Sequence, residues 1–214
     1  MPPFETILAV LLAGFALSAT PGPSMLYVLS RTVGQDRVAG LASAFGLALG
    51  GMALAVATAM GLAAVFAKFT WIVPGLRYLG SAYLIWLGVG MIREARAAAL
   101  ADLHVSEVVR KPVRAIVWQG VLVELLNPKT VLFFALFLPP FITMGEGNGS
   151  VELQFLILGA LVPLTAIPSD MLVVFMGSSL AGAINKRRHL REALGWIGGG
   201  MLILIAVNLH LGLI

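Results

Sequence analysis

The stretch "FALSATPGPSMLYVLS", residues 15–30, carries two prolines and a glycine inside a run without a single charged side chain. Proline deletes a helical N–H and glycine adds backbone freedom, so Pro21-Gly22-Pro23 interrupts the helix that its apolar neighbours require. Whether that break is a defect or a device depends on the solvent, and composition identifies the solvent. Of 214 residues, 59% are apolar and 11% are charged, and the mean hydropathy is +0.98. Soluble proteins carry roughly 25% charged residues. So few charges cannot cover a water-soluble domain of this size, and the chain reads as a bilayer protein.

Apolar runs of spanning length, about 20 residues or more, fall at roughly 4–30, 38–66, 71–92, 115–141, 151–179 and 194–213. The expected fold is therefore all-α, an integral membrane protein with six transmembrane helices, and residues 1–214 form a single transmembrane domain. The start "MPPFE" has no basic residue and the apolar run continues past Pro23 to Leu29, so the first run reads as a retained span rather than a cleaved signal. The absence of cysteine excludes disulfides, thiolate metal sites and iron–sulfur clusters.

Basic residues set the orientation. Eleven lie in three alternate connectors: Arg31 and Arg37; Arg93, Arg96, Arg110, Lys111 and Arg114; and Lys186, Arg187, Arg188 and Arg191. The opposite side holds Lys68 and Arg77. Both termini are expected on the non-cytoplasmic side, with the basic connectors against anionic lipid and no nucleic-acid partner.

Three spans on each side of the basic connector 93–114 make half-repeats of about 1–95 and 112–214, and an odd number of spans inverts the second half in the membrane. The first span of each half is broken by a proline motif, Pro21-Gly22-Pro23 and Asn127-Pro128-Lys129, and the third spans open with "LRYLG" (76–80) and "LREALG" (190–195). Inverted repeats with interrupted first helices point to a secondary transporter whose substrate site lies near the midplane. Thr20 before Pro21, Gly22 before Pro23 and Asn127 before Pro128 read as caps followed by proline at the first helical position. Helix starts running from Ser24 and from Thr130 then converge inside the bilayer, each presenting N–H groups suited to an anion. The competing reading is a pair of ordinary proline kinks.

Glu124, Lys129 and Asp170 are the ionisable residues well inside the apolar runs. Each costs about 2.5–3.5 kcal/mol to insert, so each is expected to face a cavity and to pair or to work. Lys129, near a helix start, needs an anion close by; Asp170, a substrate carboxylate, or both could supply it. Pro163 and Pro168 are expected to loosen the span that holds Asp170. Ala42, Gly46 and Gly50 form a small-residue stripe for close helix approach, within one chain or across a homodimer. Trp71, Tyr78, Trp86, Trp118 and Trp196 take span-end or lipid-facing places. His104, His189 and His210 are divided between the two sides and make no metal site.

These motifs together are similar to one family. The whole chain resembles the LysE/RhtB family of bacterial amino-acid exporters: "ATPGPSM" in the first span, "GSAYLIWLGVGMIR" ending the third, a basic connector, "LLNPKT" in the fourth and an aspartate in the fifth. Glu124 departs from the pattern, since related sequences more often carry asparagine ahead of Leu-Leu-Asn-Pro-Lys; the extra negative charge favours cationic cargo. The resemblance implies export across the bacterial inner membrane of amino acids or related zwitterionic and cationic compounds. It also implies coupling to protons or membrane potential without ATP, and the sequence has no phosphate-binding P-loop. On this reading Thr20, Pro21, Gly22, Pro23, Ser24, Glu124, Asn127, Pro128, Lys129 and Asp170 bind substrate, and no cofactor is expected. The alternatives are an exporter of small cations or metals and, more remotely, an intramembrane enzyme using Glu124 and Asp170.

Overall fold

A computed structural model describes residues 2–19, 22–68, 72–98, 109–143, 149–186 and 188–211, and all regular structure in them is helical. The helices are α1 (Phe4–Ala19), α2 (Pro23–Gly34), α3 (Arg37–Lys68), α4 (Ile72–Ala98), α5 (Val113–Leu125), α6 (Pro128–Leu132), α7 (Val151–Lys186) and α8 (Arg188–Leu211). A π-helical turn, Phe133–Phe137, and a 3₁₀ turn, Pro139–Phe141, continue α6.

Both proline motifs break the chain where the sequence places them. α1 and α2 meet at 52°, and α5 meets the segment from Pro128 to Phe141 at 48°. By length and composition α3 and α7 can each cross a membrane; counting each bent pair as one span, the described residues hold up to four. In α8 the described apolar stretch is Trp196–Asn208. A count of six spans therefore rests on the sequence pattern for α4 and α8.

The surface identifies lipid as the solvent. Leu41, Phe45, Leu49, Met52, Val56 and Met60 make an exposed apolar stripe along α3, and Phe4, Leu8, Leu12 and Phe15 make one along α1. Contiguous exposed apolar stripes of this length are rare on water-soluble monomers and suit a face against lipid. Tyr78, Trp86, Trp118 and Trp196 are exposed as expected, while Trp71 and His104 lie outside the described residues.

The core is built from close backbone approach and aromatic filling. The small-residue stripe is used within the chain: a Cβ at Gly46 would sit 2.2 Å from the Val117 carbonyl oxygen, so α3 and α5 touch backbone to backbone. Gly88 and Gly199 do the same for α4 and α8, each facing the other's carbonyl. Phe133, Phe137 and Phe141 stack in series, with ring centroids 4.3 and 4.8 Å apart, and fill the space beside α4. α7 runs unbroken through Pro163 and Pro168, so those prolines do not divide it.

Arg31 does more than mark topology. It is buried, its guanidinium donates to the Val109 carbonyl (3.0 Å) and to Gln119 Oε1 (2.9 Å), and it lies over the Tyr27 ring. The Gln35 amide exchanges two hydrogen bonds with the backbone of Lys111, so the end of α2 is fastened to the segment leading into α5.

Candidate functional site

Each broken span begins again with proline at a helix start, but the two starts are satisfied differently. Asn127 adopts an extended conformation and its Oδ1 accepts the Lys129 N–H (3.1 Å), capping α6. Because the oxygen is engaged there, Nδ2 faces the other way and donates to Ser24 Oγ on α2 (2.9 Å). Gly22, the N-cap of α2, offers no side chain, so the first N–H groups of that helix have no such cap.

Ser24 Oγ in turn donates to Glu124 Oε2, and Thr130 Oγ1 donates to Glu124 Oε1 (2.9 Å). Glu124 thus ends a directional chain: Lys129 N–H to Asn127, Asn127 to Ser24, Ser24 to Glu124. Four segments, α2, α5, the break and α6, are tied by it. Close packing makes this possible, since a Cβ at Gly50 would sit 2.8 Å from that of Glu124.

Lys129 solves its own problem at the end of the other broken span. Its ammonium donates to the Leu17 carbonyl (2.8 Å) in the last turn of α1, where the helix dipole is negative. Tyr83 on α4 donates to the Lys129 carbonyl (2.9 Å) and holds the start of α6 from behind.

These groups surround one cavity. Its volume is about 60 Å³, enough to admit water. Gly22, Ser24, Glu124, Asn127, Lys129 and Asp170 line it together with Ser18 and Thr130. Leu17, Met25, Leu47, Phe134, Val162 and Pro163 form its apolar part, and Gly14, Ala48, Gly51 and Ala166 leave it room. Two carboxylates against one ammonium give the lining a surplus of negative charge when both acids are ionised.

Six of the ten residues expected at a site are therefore brought to one cavity. Pro23 and Pro128 sit at the first helical positions, exposed, where they set the backbone rather than line the space. Thr20 and Pro21 lie outside the described residues. Sequence reasoning named Thr130 only as a helix start, and missed Ser18 and the hydroxyl of Ser169, which lies 3.2 Å from that of Ser18 and links α1 to α7 one residue before Asp170. Ser and Thr are ordinary in spans; only their spacing from the proline breaks could have marked them. No group of three metal-ligating side chains occurs among the described residues.

The model of the LysE type translocator family matches residues 15–212. The chain belongs to the LysE family. Among its relatives, the homoserine/homoserine lactone efflux protein of Salmonella typhimurium is 32% identical over 209 residues, covering 96% of each chain. A membrane protein of Pseudomonas aeruginosa is 32% identical over 179 residues, 79% of this chain and 78% of that one. The leucine efflux protein of Enterobacter sp. is 26% identical over 198 residues, covering 91% and 88%. No solved structure matches. LysE membership and these relatives support an exporter in a membrane as the general reading.

Proposed function

We propose that the protein is a secondary transporter that exports amino acids, or related small zwitterionic and cationic compounds, from the cytoplasm. The convergence of both helix breaks with Glu124 and Asp170 on one cavity carries this reading. The uncapped start of α2 at Gly22 and Ser24 receives the substrate carboxylate, and Asp170 with Glu124 receives its ammonium. Lys129 and Asn127 hold the second break in place beside them, and Thr20 and Pro21 belong to the same turn. The transporting unit is a single domain of two inverted three-helix halves, about 1–95 and 112–214, in the bacterial inner membrane, with both termini non-cytoplasmic. The breaks in corresponding first spans and the basic connectors support that arrangement. A homodimer would have to form through faces other than the Gly46 stripe, which α5 covers.

The deciding experiment is efflux from cells loaded with dipeptides, with and without expression of the protein. Faster release of one or a few amino acids, sustained by the membrane gradient, is the expected result. No acceleration across a broad panel would remove the amino-acid reading and bring forward a small-cation exporter, whose case is the surplus of carboxylates.

A further inference from the structure

Glu124 meets hydroxyl donors on both of its oxygens, and one of them is positioned to reverse. Ser24 Oγ already accepts the Asn127 Nδ2–H, whose direction is fixed by the Lys129 N–H on the opposite side of the amide. The Ser24 proton must therefore point at Glu124 Oε2, and an ionised carboxylate here accepts from both Ser24 and Thr130. Thr130 and Asn127 are 4% and 5% exposed, whereas Ser24 and Glu124 are half-buried, and all four line the cavity.

We propose that Glu124 is a proton-binding site, that a proton there excludes a substrate ammonium, and that the Ser24 hydroxyl turns over when the proton arrives. The exclusion clause rests on the exporter reading; the proton site does not. A proton from the bulk solution reaches Oε2 through the cavity, and the new O–H donates to Ser24 Oγ. That oxygen now accepts from both Asn127 and Glu124, so its own hydrogen rotates away into the cavity. No other bond changes. A neutral Glu124 then has no charge to offer an ammonium, and an arriving ammonium must displace the proton. The other charged groups facing this point are Lys129 from α6 and Asp170 from α7; α1, α2 and α3 contribute only neutral side chains to the cavity lining. Lys129 opposes protonation and ionised Asp170 favours it, so replacing either moves the midpoint without abolishing the site.

The test is an infrared pH titration of the full chain in lipid nanodiscs, without substrate, following the C=O stretch of a protonated carboxyl. Glu124→Gln should lose the titrating band, Glu124→Asp should move it, Asp170→Asn should keep it at a shifted midpoint, and Ser24→Ala should change its frequency. A band that survives in Glu124→Gln and disappears in Asp170→Asn overturns the proposal, as does one whose frequency ignores Ser24→Ala. The exclusion clause is read with L-homoserine and L-leucine as probes in weakly buffered solution. Binding should release a proton from wild type and none from Glu124→Gln. Intact efflux of a probe without proton release refutes exclusion while leaving the exporter reading standing; a panel without efflux removes the exporter reading, and the infrared band still decides Glu124.

Discussion

The two helix breaks look alike from outside and differ in what they leave unsatisfied. Both bend by about the same angle, 52° and 48°, and both restart with proline. At Asn127 the side chain caps the new helix, Tyr83 supports it from behind, and the amide reaches across to Ser24, so the break is a fixed post. At Gly22 the backbone is extended, with φ −160° and ψ −177°, and no side chain caps the helix that follows. The lesson is that one punctuation mark serves two ends: one break is held by a side-chain cap, and the other restarts without one.

Breaking the support of the fixed post should have the largest effect. In Gly46→Val the side chain meets the Val117 backbone, which cannot give way, so α3 and α5 separate and Glu124 moves with them. A loss at or above the ~3 kcal/mol upper range of overpacking is expected, read as lost thermal stability in detergent. Asn127→Ala removes a cap worth about 0.5–2 kcal/mol and a hydrogen bond worth about 0.5–1.5 kcal/mol, so it should lower both melting temperature and transport. Tyr83→Phe removes only the brace on the Lys129 carbonyl and should cost about 0.5–1.5 kcal/mol by the same melting assay. Gly22→Ala is the sharpest contrast. An extended backbone accepts alanine, so stability should change by less than ~0.5 kcal/mol, while on the proposed reading the methyl group at the start of α2 should raise the KM for efflux. Equal stability losses in Gly22→Ala and Asn127→Ala would erase the distinction between the breaks.

Much of this was readable from the chain because membranes make certain residues expensive. A proline pair or a buried acid in an apolar run must have a reason, and Gly22, Asn127, Glu124, Lys129 and Asp170 do come together. The small stripe at Gly46 was legible for the same cause, though not the partner it meets. What stayed hidden carries no such cost. Ser18 and Thr130 are common in spans, so nothing in their type marks them as cavity groups. Arg31 read as a topology charge, because a sequence does not reveal that the Val109 and Gln119 acceptors lie within its reach. The prolines of α7 suggested a looser helix; α7 is continuous through both and packs along α1 and α3.

The π-helical turn at Phe133–Phe137 gives the fourth run an unusual tolerance. A π turn is an α turn with one residue inserted. Deleting a residue such as Ala135 therefore lets the turn revert to α-helix, and the faces on either side keep their partners. The same deletion in α3 would rotate everything beyond it by about 100° and turn its lipid stripe inward. Length variation by one residue within a span should thus be survivable here, and a deletion scan would find this turn as the gap in an otherwise intolerant helix.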